Sequence, residues 1–206
     1  MYRLAALFAL DAFGGGFVVQ SLLVVWLFQR FEISVSGVGT LLLITGLCSA
    51  ASGFVAAWIA ERIGPIRTMV FTHLPANGFL IAAALMPTMP WALTMLVLRS
   101  LLSQMDVPVR TSYVMSVVSP PERAAAASVT NVPRSLAAAI SPTLAGWMLQ
   151  SSSFGWPLIV AGVCKIVYDL LLLAGFVMGL VALYWQLLVE MPRAGALGKA
   201  MSRQRR

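Results

Sequence analysis

Between two long apolar runs stands the short polar stretch Ala57-Trp58-Ile59-Ala60-Glu61-Arg62-Ile63-Gly64-Pro65-Ile66-Arg67. Before it, the chain carries no charged residue from about 38 to 60; after it, none but His73 from about 68 to 86. A run of ~20 residues rising 1.5 Å each crosses a ~30 Å hydrocarbon core as a helix. Gly64-Pro65 carries turn chemistry, so the stretch reads as a tight connection between two membrane-crossing helices.

The same pattern extends in both directions. Apolar runs fall at about 4–28, 38–60, 68–86, 91–118, 124–150 and 156–178. They are separated by Ser34 to Gly37, Gly64-Pro65, Pro87 to Pro90, Ser119-Pro120-Pro121 and Ser151 to Gly155. Backbone groups in hydrocarbon must be satisfied internally, so the runs are helices; the alternation of a membrane barrel is missing. Composition agrees, with 60% of the 206 residues apolar, 10% charged and a mean hydropathy of +0.89. A soluble domain carries roughly 25% charged residues, which excludes an ordinary soluble enzyme, a disordered region and a soluble nucleic-acid binder. The fold class is an all-α integral membrane bundle of six transmembrane helices over 1–178. Residues 179–206 follow as an interfacial segment and basic tail.

The net charge of +7 reports orientation rather than a nucleic-acid partner. Six spans put both termini on one side. With the termini inside, cytoplasmic segments hold Arg3, Arg62, Arg67, Arg123 and the tail residues Arg193, Lys199, Arg203, Arg205 and Arg206, while the outer loops hold Arg30 alone. Retention of Lys and Arg on the cytoplasmic side therefore places both termini there, and the tail can rest on anionic lipid headgroups. Cys48 and Cys164 lie deep in apolar runs without metal-ligand spacing, so no metal or cofactor is expected. The first run, continuous from Leu4 to Phe28, reads as a span rather than a signal peptide. From Trp156 to Leu188 the chain stays apolar for ~50 Å of helix, so a break or tilt is expected near Gly175 to Gly179, with 180–188 at the interface or in a seventh partial span.

Small residues suggest where helices meet. Gly39, Gly46 and Gly53 share one face of the second span, and Ser135, Ala138, Ala139, Pro142 and Gly146 offer a similar surface on the fifth. Such faces let backbones approach closely. Gly14-Gly15-Gly16 invites local unwinding of the first span, at ~1 kcal/mol per glycine relative to alanine. Transporters often place unwound helix beside a binding site.

Seven charged residues fall within the spans: Asp11, Arg99, Asp106, Arg110, Arg134, Lys165 and Asp169. Each costs roughly 2.5–3.5 kcal/mol at mid-membrane, so they should face one another or a wet cavity. Arg99, Ser103, Asp106 and Arg110 form one stripe down the fourth span, with Gln104 beside them and a kink expected at Pro108. Asn131, Arg134 and Ser135 share a face of the fifth span; Lys165, Tyr168 and Asp169 share one of the sixth, where Lys165 and Asp169 can pair within a turn. These groups are either buried pairs fixing helix register or a polar pathway, and contributions from three helices favour the pathway. His73, beside Pro75 and Asn77, reads as a hydrogen-bonded helix-packing residue.

Ala57 to Arg67 resembles the Gly-x-Leu-Ala-Asp-Arg-x-Gly-Arg-Arg signature of the major facilitator superfamily, with Ala57, Glu61 and Pro65 departing from it. Pro121-Glu122-Arg123-Ala124, followed by Asn131, Arg134 and Pro142-x-x-x-Gly146, resembles the corresponding loop and fifth span of a half. The glutamate and proline departures match the weaker copy usual in the second half. The resemblance implies a six-helix half, C-terminal in type, of a twelve-helix fold. It implies two inverted three-helix repeats, about 4–86 and 91–178, and a substrate cavity between halves worked by alternating access. Glu61, Arg62 and Arg67, with Glu122 and Arg123, would form the cytoplasmic gate. A second six-helix half or a homodimer mate would complete the cavity.

The leading expectation is transport of a small solute, proton-coupled or not. Its substrate or proton candidates are Asp11, Arg99, Gln104, Asp106, Asn131, Arg134, Lys165 and Asp169, with Asp106 first because its stripe runs longest. Two other readings stand beside it: a transport-inactive truncated fragment or assembly module, and an intramembrane serine protease using Ser52 and His73.

Overall fold

Three consecutive glycines give a membrane helix its weakest point, and the first span breaks there. The computed structural model describes residues 2–105 and 123–178, and every regular element among them is helical. Helix α1 (Tyr2–Gly16) tightens as it ends, the Phe17 and Val18 N–H groups donating to the Gly14 and Gly15 carbonyls at 3.3 and 3.1 Å. Val19 is extended, with φ −57° and ψ 146°, and α2 (Gln20–Phe31) begins after it. Together α1 and α2 make one apolar crossing, Ala5–Phe31, with an interruption at its centre.

Local chemistry sets the other boundaries. Glu32, Ile33 and Ser34 alone join α2 to α3 (Val35–Ile63). Glu32 turns the chain at φ 51°, its N–H donating to the Phe28 carbonyl, and the Ser34 hydroxyl accepts from the Gly37 N–H at 3.1 Å, capping α3. Gly64, at φ 87°, holds a backbone conformation that side chains disfavour, and Pro65 follows at the first position of α4 (Pro65–Leu85), where its missing N–H costs nothing. Pro90 opens α5 (Met89–Ser103) similarly. The last two helices are α6 (Arg123–Ser151) and α7 (Trp156–Met178).

These helices fall on the six expected runs, the fourth of which, 91–118, is described only as far as Met105. Four spans are long and apolar enough to cross a bilayer: Ala5–Phe31, Val35–Ile63, Arg67–Leu85 and Trp156–Met178. In the fourth span the shorter apolar α5 closes at Ser103, and the kink expected at Pro108 lies outside the described residues. Asp106 and Arg110 lie outside the described residues, so their share of the stripe has no structural counterpart. The fifth span is the 29-residue α6, with Pro133 and Pro142 inside it. The break expected near Gly175 is not found as far as Met178, because α7 runs through that glycine.

Packing divides the chain after Leu172, leaving Leu173–Met178 as the described part of a second unit; the contacts that follow belong to the first. Leu80, Ala83, Ala84, Ala92, Leu158 and Ala161 bury small and medium side chains around Trp26 and Leu27. Close approach depends on glycine at two places on α1. A Cβ on Gly16 would run into the Ser141 hydroxyl of α6, and one on Gly14 would lie 3.1 Å from the Ala161 carbonyl of α7. The Ala138 carbonyl, deprived of its helical donor by Pro142, is among the atoms beside Gly16. The second-span glycine stripe behaves differently. No described residue comes within 4 Å of a Cβ built on Gly39, Gly46 or Gly53, so that expected helix contact is not made among the described residues. Few α3 side chains are buried, Val38, Leu41, Ser52 and Ala56 among them, and Phe54 is 84% exposed.

Candidate functional site

Charges in hydrocarbon need partners, and α7 supplies two that face different neighbours. The Lys165 ammonium donates to Asp11 Oδ1 of α1 at 2.6 Å. One turn later Asp169, with no exposed surface, accepts from His73 Nδ1 of α4 at 2.9 Å and from the Asn77 amide nitrogen at 3.1 Å. Tyr168 lies between them in sequence, its ring 6.2 Å from that of His73 and 6.5 Å from that of Phe8. The pairing anticipated within α7, Lys165 with Asp169, is replaced by two pairs between helices. Asp11 stands one turn before the glycines at which α1 breaks, so the network anchors α1 just short of the break.

A cleft of about 230 Å³ lies on the other side of that break. Val18 and Gln20 line it from the break, Thr45, Gly46 and Ser49 from α3, and Arg99, Ser103 and Gln104 from α5 and its end. Among the described residues Arg99 is the one charged side chain lining it, and its Nε is buried without a hydrogen-bond partner. No ion pair to Arg99 exists among the described residues.

The remaining candidates are scattered. Asn131 is exposed on α6 and Arg134 half-buried three residues on; neither lines the cleft. Asp106 and Glu122 lie outside the described residues, and Arg123 is the first residue of α6. Glu61 and Arg62 are exposed at the end of α3, with the Arg62 guanidinium 4.0 Å from the Trp58 ring centroid, and Arg67 is exposed in the first turn of α4. The protease pair is not assembled: the Ser52 hydroxyl donates to the Ser49 carbonyl while His73 engages Asp169. Among the described residues no three His, Cys, Asp or Glu side chains form a metal-binding group.

Three residues of the network and the cleft escape a reading by charge alone. His73 and Asn77, four residues apart and therefore on one face of α4, carry the available signal as a polar pair in an apolar run. Gln20 follows the helix break and gains importance only through that break's geometry.

These features define a multi-pass helical membrane protein that holds charged side chains between its helices. Residues 4–178 match the Major Facilitator Superfamily, and the chain belongs to that family. It is similar to an uncharacterized membrane protein of Saccharomyces cerevisiae, at 25% identity over 177 residues. The match covers 85% of this chain but 40% of the yeast protein, so the chain spans less than half that relative's length. No solved structure matches significantly.

Proposed function

We propose that this chain forms one half of an alternating-access carrier for a small solute, with the cleft between α2, α3 and α5 as its share of the solute pathway. The observation that carries this reading is the interruption of the first span at Phe17–Val19, at the edge of a polar cleft. Interrupted helices at mid-membrane supply free backbone groups for a solute and a place to bend. Arg99 and Gln104 are the pathway residues. Asp11, Lys165 and Asp169, with His73 and Asn77, form the anchoring network and the candidate proton-exchange group. Glu61, Arg62 and Arg67, with Glu122 and Arg123, form the gate at the cytoplasmic face, where both termini lie.

The missing wall of the cavity comes from a second six-helix half or a second copy of the chain. Large apolar side chains exposed along α3 and α6, among them Leu47, Phe54, Leu136 and Trp147, support this reading. A cysteine at Ser49, with Cys48 and Cys164 replaced by alanine, tests the pathway. A membrane-impermeant maleimide should label it in right-side-out and in inside-out vesicles alike. Labelling from neither face would overturn the carrier reading and leave an inactive assembly module.

A further inference from the structure

The chemistry of the cleft also selects its ligand. Arg99 supplies a permanent positive charge that no carboxylate neutralises among the described residues. The described carboxylates lie elsewhere: Asp11 is held by Lys165, Asp169 by His73 and Asn77, Glu32 sits in the α2–α3 turn and Glu61 at the far end of α3. The buried Nε of Arg99 has given up water without receiving an acceptor in return. A planar guanidinium in that condition matches the paired oxygens of a carboxylate or phosphate.

The other polar groups of the cleft sort by what they can still offer. Thr45, Ser49 and Ser100 spend their hydroxyl protons on the carbonyls of Leu41, Ser100 and Val97, so they present lone pairs. Gln20, Ser103 and Gln104 keep donors available, and all three line the cleft with Arg99. The break adds another donor group. No side chain caps α2, and its first backbone bond runs from the Leu23 N–H to the Val19 carbonyl. The N–H groups of Gln20, Ser21 and Leu22 therefore precede the helix ladder at a terminus with partial positive charge. Helix N-termini exposed by interrupted spans suit anionic groups of solutes.

We propose that the cleft is an oxyanion site, in which Arg99 and the free N-terminus of α2 bind the carboxylate or phosphate group of a small solute. At about 230 Å³ it has room for little more than that group and a short body. The inference rests on the pathway reading above and names its solute class.

The full chain in phosphatidylcholine nanodiscs tests it, with the Ser49→Cys reporter in the Cys48→Ala, Cys164→Ala background. Inorganic phosphate, acetate and succinate serve as probes, and choline as the cationic control, all at one ionic strength. At least one of the anions should slow maleimide labelling about tenfold and choline should not. Arg99→Gln should abolish the protection, whereas Arg99→Lys should retain part of it. Protection by choline, or equal anion protection in Arg99→Gln, overturns the proposal. If the reporter is labelled from both membrane faces but neither a soluble anion nor phosphatidylglycerol protects it, the oxyanion site alone falls. Thermal unfolding with the anion that protects best gives a second readout independent of labelling: a stabilisation present in the parent and lost in Arg99→Gln upholds the site, and none in either overturns it. Repeating the assay with phosphatidylglycerol separates the two sources of such a group. Arg99-dependent protection by that lipid without added salts upholds the site and assigns it to a headgroup; protection confined to the soluble anions assigns it to a solute.

Discussion

The Lys165 ammonium and the Asp11 carboxylate meet at 2.6 Å across 154 residues of chain, joining the last described helix to the first. The contact forms on the N-terminal side of the Gly14–Gly16 break. Through it α1 is fastened to α7, while α2 beyond the break leads into the exposed α3.

Removing one member of that pair takes the opposite charge away from a buried partner. Lys165→Met should destabilise the chain by about 3–5 kcal/mol, and Asp11→Leu combined with Lys165→Met should recover most of the loss. Chemical unfolding in detergent, followed by tryptophan fluorescence, compares the single and double variants. Equal destabilisation in both would show that the two charges do not act as a pair.

Asn77 donates one of the bonds that hold Asp169 within the bundle. Asn77→Leu keeps much of the side chain's size but removes the donor, and should cost about 1–3 kcal/mol. The same unfolding measurement applies, with Thr94→Val as the comparison. Thr94 also donates, but to the Pro90 carbonyl at an exposed position, so its loss should be smaller.

Glycines in this chain divide into those with neighbours and those without. Gly16→Val places bulk against Ser141 and should lower the unfolding temperature and reduce monodisperse material on gel filtration. Gly39→Ala and Gly53→Ala meet nothing among the described residues and should leave the chain's own stability unchanged or slightly raised. If they instead weaken association with a second copy or a coexpressed half, the α3 stripe is a subunit contact. Crosslinking yield reads that directly.

Ser34→Ala removes the side-chain acceptor for the Gly37 N–H and should cost about 1 kcal/mol through loss of the α3 cap. Ser34→Asp, which restores an acceptor, should recover it. A null result in both variants would place that N–H in contact with another acceptor in the membrane.

Much of the architecture was legible because a bilayer imposes a length on every apolar run. The turns at Ser34, Gly64-Pro65 and Pro90 mark helix ends for reasons contained in those residues. The weakness at Gly14–Gly16 was equally local, and α1 does end there. Partner choice was less legible. Lys165 and Asp169 are close in sequence, so a pair within α7 was the nearest solution, but α1 and α4 each bring a buried polar partner to that face. His73 lacked a fixed charge and so drew less notice than the carboxylate it holds. The α3 glycines looked like a helix contact because spacing shows a face without showing what lies opposite. Of the cleft, Arg99 and Gln104 stood out as polar residues in a span. Gln20 joined them only because the chain turns at Val19, a consequence of tertiary placement.

The three-residue turn at Glu32–Ser34 leaves α3 no slack at that end. Its 29 residues make a rod of about 43 Å, roughly a dozen ångströms longer than a ~30 Å hydrocarbon slab, and the surplus must emerge beside Glu61 and Arg62. There the Trp58 indole and the Arg62 guanidinium stack, a pairing suited to the boundary between oil and water. A thicker or thinner membrane shifts that pair along its waterline or tips the rod. Lipid composition thus becomes a mechanical input to the protein's geometry, separate from any solute it meets.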